Sequence, residues 1–243
     1  MPRSAVCISI VHYHLEPGGV TKVIDLSVQA LTAHLDGLRE VRLVSGRPDG
    51  VEKLADSLRS ICGQVRIVPI IVPEIDYLPI GTQPGPGTDT AVNAMKNAML
   101  KACAGSIWWI HNYHLGKNPL FTKALLEITK ENPRERFCFH IHDFPESSRY
   151  DNLNFLRRFV GGSPYPQSAN IRYAVINGRD FANLKSAGLV ESSVYLLNNP
   201  IKDESFDKSR ASETARKLER IFGGKFPGYI PGAPLMVNPV RTI

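Results

Sequence analysis

Histidines whose spacing suits chemistry stand at three places in this chain. The sequence has seven histidines. Six of them form three pairs, which are His12 and His14, His111 and His114, and His140 and His142. Each pair lies at the end of an apolar run of strand length, and only His34 lies elsewhere. Imidazoles bind metals and hold hydroxyl or phosphate groups near neutral pH, so this grouping indicates a functional site.

Two kinds of chemistry fit these pairs. In the first, imidazoles and Asp143 bind a metal, because a His-x-His spacing beside a carboxylate suits zinc or a two-metal centre, and the reaction is metal-assisted hydrolysis. In the second, the histidines bind hydroxyls and phosphates of a sugar substrate, while Gly18 and Gly19 let a diphosphate approach the backbone. Only the second explains the glycines. A third interpretation, in which each pair makes hydrogen bonds to loop backbone at a strand end, stays open.

The glycine pair lies between a strand and a helix near the start of the chain. An apolar run at 6–11 leads into the loop 12–17, and a helical pattern begins at about Val20. In α/β folds such a strand–loop–helix unit presents backbone N–H groups and a helix N-terminus at the open edge of the sheet, where anions bind. Glycines in such turns also serve backbone geometry alone, which is the competing interpretation.

Strands and helices alternate along most of the chain. Apolar runs predict strands at about 5–12, 41–44, 65–71, 107–110, 136–139, 171–176 and 193–197. Helical spacing predicts helices at about 18–34, 51–61, 91–103, 118–131, 151–159 and 178–187, with Asp89 capping the third. This alternation predicts an α/β fold, a Rossmann-like three-layer sandwich with a mostly parallel sheet. Because the carboxyl ends of parallel strands share one edge, the histidine pairs are expected to lie along that edge.

The sequence also predicts a domain boundary. Residues 1–222 are predicted to form the first domain, whose last segment, 202–222, is charged and helical. Residues 223–234 are rich in glycine and proline and predict a linker, and the apolar segment 235–243 predicts a strand. Residues 223–243 are therefore expected to begin a second domain, the rest of which is missing. The loop 72–88 is long and rich in proline and glycine, which is typical of functional or mobile loops.

Composition argues against several classes of protein. The chain has 243 residues and a net charge of +6, but no stripe alternates basic with aromatic residues, so no nucleic-acid partner is expected. No apolar run reaches the roughly 20 residues that span a bilayer, and no signal peptide is visible. A cytoplasmic location is expected, with peripheral membrane contact of the basic surface left open. Cys7, Cys138, Trp108 and Trp109 lie within predicted strands and are expected to be core residues.

Five stretches carry a resemblance to a known family. Residues 12–21 (HYHLEPGGVT) resemble the N-terminal glycine loop of GT-B glycosyltransferases of family 4, also called group 1. Residues 111–119 (HNYHLGKNP), 139–144 (FHIHDF) and 195–201 (YLLNNPI) resemble later motifs, and 238–241 (NPVR) resembles the opening strand of the second domain. The resemblance implies two Rossmann-like domains with the active site between them. The N-terminal domain mainly holds the acceptor, and the C-terminal domain holds the nucleotide-sugar donor and a paired-glutamate motif.

The resemblance also implies roles for individual residues. Gly18 and Gly19 match the loop that approaches the donor phosphate and the acceptor. His142, beside Asp143, matches the strand-end histidine that contacts the transferred sugar, and His140 is the alternative because the His-x-His spacing allows either alignment. The other predicted substrate- or donor-binding residues are His12, His14, His111, Asn112, His114 and Lys117.

The sequence therefore predicts the N-terminal half of a retaining glycosyltransferase, which moves a sugar from a nucleotide-sugar donor to a hydroxyl acceptor. Two interpretations of Lys117 stay open, namely a residue that meets an anionic acceptor and an ordinary surface lysine. The resemblance implies no essential metal and no further cofactor, since the nucleotide sugar is a co-substrate. Without its second domain the chain is expected to be inactive. The alternatives are a metal-dependent hydrolase that uses the clustered histidines and a non-catalytic sugar- or nucleotide-binding module.

Overall fold

The computed structural model describes residues 5–201, and its sheet and helices lie within the compact unit Met1–Pro200. The charged helix, the linker and the second-domain strand predicted for 202–243 lie outside the described residues. Within 5–201 the strands and helices alternate along the chain. The predicted α/β class is therefore confirmed.

Seven strands form one sheet. The strands are β1 (Val6–His12), β2 (Leu38–Ser45), β3 (Arg66–Ile71), β4 (Ile107–His111), β5 (Arg136–Ile141), β6 (Ile171–Val175) and β7 (Val194–Leu196). They lie in the order β3-β2-β1-β4-β5-β6-β7. Every pairing between these described strands is parallel. The predicted Rossmann-like architecture is confirmed, and the described sheet is wholly rather than mostly parallel.

Helices cover both faces of the sheet. The helices are α1 (Gly19–His34), α2 (Val51–Cys62), α3 (Thr88–Ala102), α4 (Pro119–Glu131), α5 (Pro145–Ser148), α6 (Tyr150–Phe159) and α7 (Gly178–Ser186). Two short 3₁₀ turns, Pro73–Ile75 and Glu191–Ser193, complete the described elements. One core lies between the sheet and helices α1 and α2, and a second lies between the sheet and helices α3, α4 and α7. The described part of the chain is therefore a three-layer sandwich.

Neighbouring strand residues point into opposite cores, as the two-residue period of a strand requires. Ile10 belongs to the core under α1 and α2, and the next residue, Val11, belongs to the core under α3 and α4. Trp108 and Trp109 divide in the same way and are 0% and 8% exposed. The prediction that both tryptophans pack in the core is confirmed.

Two strands are longer than their apolar runs. β2 begins at Leu38 instead of about residue 41, and it contains the buried Glu40. The carboxylate of Glu40 pairs with Arg42 at 2.6 Å and with Arg66 on β3, so its charge is compensated inside the sheet. β5 continues to Ile141 because His140 pairs with His111 on β4 and Ile141 pairs with Val175 on β6.

Two further local predictions are wrong. Asp89 does not cap α3, because Gly87 occupies the N-cap position and no side chain caps the helix. The carboxylate of Asp89 instead accepts a 2.8 Å hydrogen bond from Nζ of Lys123. Cys7 is half-buried rather than a full core residue, and its thiol contacts the Glu40 carboxylate at 3.4 Å. Local sequence does not encode these long-range polar contacts.

The strand order reverses between β1 and β4. From β1 the chain continues to β2 and β3 on one side, and it returns to β4 on the other side. Ligands of open α/β sheets bind at the carboxyl ends of the strands that flank such a reversal. β1 ends at His12 and β4 ends at His111, so the first two histidine pairs stand on either side of this point. Within 5–201, every helix is too short or too polar to cross a bilayer.

Candidate functional site

The carboxyl edge of the sheet brings histidines of three strands within ring contact. β1, β4 and β5 are neighbours, and His111 lies opposite His140 in the β4–β5 register. Ring centroids are 6.4 Å apart for His12 and His111 and 4.8 Å apart for His111 and His140. The rings of His140 and His142 are stacked at 4.2 Å. The three strand ends thus hold one histidine cluster, defined here as His12, His111, His140 and His142.

The two remaining paired histidines flank this cluster on opposite sides. The His14 ring lies 5.6 Å from that of His12, and its Nε2 is 3.1 Å from the hydroxyl of Tyr77. On the other side, Nε2–H of His114 donates a 2.9 Å hydrogen bond to the backbone carbonyl of Asp143. His14 therefore extends the site toward the loop after β3, whereas His114 fixes the loop after β5.

Burial divides the predicted site residues into two groups. His111, Asn112, His114 and His140 are 2% exposed or less, and His12 is 6% exposed. His14, Lys117 and His142 are half-buried, whereas Gly18, Gly19 and Asp143 are exposed. Only the second group can touch a ligand without rearrangement. The deeply buried residues position the accessible ones.

Asn112 holds the site loops together. Its backbone adopts the left-handed conformation, with φ +52°, which asparagine tolerates better than most residues. Its backbone N–H donates to the carbonyl of His140 at 3.0 Å, and its side-chain oxygen accepts from the backbone N–H of His142 at 2.8 Å. The Tyr13 hydroxyl donates to the Asn112 carbonyl at 3.2 Å. Asn112 is therefore a positioning residue that connects the ends of β1, β4 and β5.

Burial keeps the clustered imidazoles neutral. It lowers the pKa of His12 and His140 to about 3 and that of His142 to about 4. The pKa of His111 lies well below its ordinary value, first because of burial and then because His140, His142 and His12 repel its charged form. A neutral imidazole offers one N–H donor and one acceptor nitrogen. The cluster therefore suits hydrogen bonding to hydroxyls, and it also suits metal ligation.

Three histidines of the cluster are close enough to share a metal ion. His111, His140 and His142 each offer a ring nitrogen, and these nitrogens lie within 4.8 Å of one another. Nδ1 of His111 is hydrogen-bonded to Nε2 of His142 at 2.9 Å. Nε2 of His111 and both ring nitrogens of His140 are buried, and no described residue is their hydrogen-bond partner. This donor set fits a metal that accepts three nitrogen ligands, such as zinc.

Tyr77 extends the site beyond the residues that the sequence singled out. It follows the 3₁₀ turn Pro73–Ile75 inside the loop 72–88, and its ring lies beside cations. The Cζ atom of Arg47 is 5.2 Å from the ring centroid, and Nζ of Lys117 is 5.4 Å from it. Burial raises the pKa of Tyr77, and the charges of Arg47 and Arg149 oppose this rise. Arg47 lies two residues after the end of β2, so strand-end position was the signal that could have identified it. Arg149 lies between α5 and α6 and carried no such signal.

The glycine pair is accessible and stands apart from the histidine cluster. Gly18 has extended backbone that any residue adopts, with φ −178°, and Gly19 is the first residue of α1. A Cβ on Gly18 would meet only a backbone oxygen at 3.8 Å, and one on Gly19 would meet open space. Gly18 lines a cavity between α1 and α2 that no histidine lines. Folding therefore does not require glycine here, which weakens the purely structural interpretation.

Comparison with known proteins finds a curated relative of greater length. The chain is 30% identical to the mannosylglucosyl-3-phosphoglycerate synthase of Petrotoga mobilis over 243 aligned residues. The alignment covers 96% of this chain and 45% of the relative, so the chain spans less than half of that protein's length. No protein-family model matches the chain, and no solved structure matches it significantly.

Proposed function

We propose that this chain is the acceptor-side domain of a glycosyltransferase that moves a sugar from a nucleotide-sugar donor to a hydroxyl acceptor. One observation carries the proposal, namely similarity to a mannosylglucosyl-3-phosphoglycerate synthase over 96% of the chain. A compound of that name has two sugars joined to phosphoglycerate, and its synthesis forms a glycosidic bond. Because the chain spans 45% of the relative, the donor is proposed to bind mainly to a second domain.

We propose more specifically that the chain is the N-terminal GT-B domain of a retaining glycosyltransferase of family 4. This proposal rests on the resemblance of residues 12–21, 111–119 and 139–144 to motifs of that family. The fold is compatible with it, because the strand order reverses between β1 and β4, where α/β sheets bind ligands. The proposed partners are thus the nucleotide sugar, the hydroxyl acceptor and the donor domain.

His142 is proposed to contact the transferred sugar. It is half-buried at the accessible side of the histidine cluster, and its lowered pKa, about 4, keeps the imidazole neutral at pH 7. A neutral ring can donate a hydrogen bond to a sugar hydroxyl. His140 is stacked behind it at 4.2 Å and is too buried to touch a sugar. This burial favours His142 over the alternative alignment, and Asp143 adds an exposed carboxylate beside it.

The proposed reaction exchanges one bond at the anomeric carbon. The acceptor hydroxyl oxygen bonds to that carbon, and the bond from the carbon to the diphosphate oxygen breaks with its electron pair leaving on the diphosphate. The acceptor proton passes to the departing diphosphate. Backbone N–H groups at the exposed N-terminus of α1, beside Gly18 and Gly19, can stabilise negative charge. No essential metal is proposed for this step.

A metal-dependent hydrolase is the second candidate function. The observation that favours it is the trio of the buried His111 and His140 and the half-buried His142, in which three ring nitrogens have no hydrogen-bond partner among the described residues. Metal analysis of the purified chain separates the two candidates. One zinc, manganese or iron per chain, lost in His140→Ala but retained in the control His34→Ala, supports the hydrolase. A metal-free protein that binds acceptor supports the transferase.

Ligand binding and sugar transfer by the full 243-residue chain test the proposed function. The probes are UDP-glucose, GDP-mannose and glucosyl-3-phosphoglycerate, with calorimetry for binding and mass spectrometry for product. We expect saturable acceptor binding without turnover, because the donor domain is absent from the assay. His142→Ala should weaken acceptor binding, whereas the exposed His34→Ala should not.

Three outcomes would count against the proposal. Absence of saturable binding by every probe would overturn the transferase assignment. Nucleotide binding without acceptor binding would favour a non-catalytic nucleotide-binding module. Robust sugar transfer by the chain alone would confirm the glycosyltransferase but contradict its dependence on a second domain.

A further inference from the structure

Lys117 is a half-buried cation without a carboxylate partner in the described part of the chain. Its Nζ atom lies 5.4 Å from the ring centroid of Tyr77. Among residues 5–201 no carboxylate lies within salt-bridge distance of it. Burial, and then repulsion by the nearby Arg149, lowers its pKa. A desolvated ammonium next to a second cation is unfavourable unless an anion joins them.

Arg149 supplies the second cation. Its guanidinium is partly exposed and pairs with the carboxylate of Asp143 at 3.6 Å, which is longer than a hydrogen bond. Among the described residues this guanidinium makes no side-chain hydrogen bond to another group. Its N–H donors therefore remain able to bind a planar or tetrahedral anion, as arginine does best.

Arg47 differs from Lys117 and Arg149 because its charge is compensated by carboxylates. It also lies over the Tyr77 ring, at 5.2 Å. Its Nε donates to Asp76 at 2.7 Å, and its terminal nitrogen pairs with Glu16 at 3.2 Å. Two carboxylates already compensate this charge, so Arg47 holds the loops together. Lys117 and Arg149 have no such compensation beyond the one long contact to Asp143.

The loops that carry Tyr77 and Lys117 are fixed to each other. The side-chain amide of Asn118 donates to the carbonyls of Glu74 and Asp76 at 2.9 and 2.6 Å. The backbone N–H of Leu78 donates to the Lys117 carbonyl at 2.9 Å. Asn118 also caps α4 through the backbone N–H of Phe121. The backbone that carries Lys117 is therefore fixed relative to Tyr77 before any ligand arrives, which lowers the entropic cost of binding.

We propose that Lys117 and Arg149 form an anion subsite beside Tyr77, which binds a phosphate or carboxylate group of the acceptor. The inference rests on the proposed function and assigns the acceptor to the class of small phosphorylated or carboxylated hydroxy compounds. Contacts lead from Tyr77 through His14 to His12, which belongs to the histidine cluster. The charged end of the acceptor thus binds at Tyr77 while its hydroxyl is directed toward His142.

Binding of 3-phosphoglycerate, inorganic phosphate and the uncharged glucose to the full chain tests the subsite. Calorimetry with Lys117→Met and Arg149→Gln should show affinity for 3-phosphoglycerate reduced at least about tenfold. Weak glucose binding should not change. Lys117→Arg keeps the charge and should retain most of the affinity. Lys123→Met, which removes a lysine paired with Asp89, is the matched control and should bind as the wild type does.

Thermal melting of each variant checks that the fold persists. Equal affinity of the wild type, Lys117→Met and Arg149→Gln for 3-phosphoglycerate would overturn the subsite. Equal affinity for 3-phosphoglycerate and inorganic phosphate, both lost in the two variants, would restrict the subsite to the phosphate group. These measurements use no sugar donor. Charge-dependent binding of 3-phosphoglycerate by a chain that binds neither glucosyl-3-phosphoglycerate nor a nucleotide sugar would refute the proposed function alone. Saturable binding of glucosyl-3-phosphoglycerate that ignores both substitutions would refute the subsite alone.

Discussion

The side-chain oxygen of Asn112 accepts a 2.8 Å hydrogen bond from the backbone N–H of His142, across the gap between the ends of β4 and β5. Asn112 is itself left-handed, with φ +52°. This conformation directs the short amide of Asn112 toward the loop after β5, where the buried amide oxygen is hydrogen-bonded. The position of His142, the residue proposed to meet the sugar, therefore depends on a side chain that a ligand does not reach.

Asn112→Gly isolates this hydrogen bond, because glycine adopts the same left-handed backbone without strain. We expect the free energy of unfolding to fall by about 1–2 kcal/mol, since a buried backbone N–H loses its partner. Urea denaturation measures the change. Asn112→Ala should cost about 1–2 kcal/mol more, because alanine adds left-handed strain. Two variants of equal stability would contradict this account of Asn112.

The neutral histidine cluster should make the protein sensitive to acid. Burial lowers the pKa of His140 to about 3 and of His142 to about 4, below the value of 6.5 for a free imidazole. Below pH 6.5 the unfolded chain therefore binds more protons than the folded chain, so stability falls as the pH falls. The free energy of unfolding falls by up to about 1.4 kcal/mol per pH unit for each such imidazole, until the pH reaches the pKa of that imidazole in the folded chain.

Urea denaturation between pH 7.5 and 4.5 measures this loss. His140→Phe removes one titrating ring from the cluster, so its stability should depend less steeply on pH than that of the wild type. His34→Phe, on an exposed side chain of α1, is the matched control and should follow the wild-type slope. A stability that is constant from pH 7.5 to 4.5 would show that the histidines are not buried in the neutral form.

Gly116 should not tolerate a side chain, because the backbone of Asn152 lies close to it. Its φ is +68°, and a Cβ there would lie 2.1 Å from the carbonyl oxygen of Asn152. Gly105 has nearly the same φ, +67°, but open space around it. Gly105→Ala should cost about 1–2 kcal/mol of stability from left-handed strain. Gly116→Ala should cost about 1–3 kcal/mol more from the clash, and equal losses would contradict the close approach of the Asn152 carbonyl.

Gly19 should be replaceable for folding but not for ligand binding. Because nothing lies near its Cβ position, Gly19→Ala should leave stability unchanged or raise it by about 0.5–1 kcal/mol. If a diphosphate approaches this backbone, the same variant should weaken binding of the nucleotide sugar. Gly81→Ala, also in open space, is the control for both measurements. A fold destabilised by Gly19→Ala would restore the purely structural interpretation of the glycine pair.

Periodicity and strand-end logic were enough to predict the fold and the meeting of the histidines, because both follow from local pattern and parallel topology. The division of the site into buried and accessible residues was not predictable in this way. Burial of His114 depends on its hydrogen bond to the Asp143 carbonyl, and the place of Tyr77 depends on Asn118. Such contacts join loops distant in sequence and leave no periodic signal. Lys117 was identifiable from its motif, whereas the three-dimensional structure was needed to show that no carboxylate within 5–201 pairs with it.

Histidine side-chain NMR of the full chain at pH 7 tests the central claim most directly. The claim is that a sugar acceptor binds at the carboxyl edge of the sheet, between the ends of β1, β4 and β5. Titration with glucosyl-3-phosphoglycerate should shift the ring resonances of His14 and His142 in a saturable way and leave those of His34 unchanged. Unchanged His14 and His142 resonances at saturating acceptor, or shifts that appear only when zinc is added, would contradict the account.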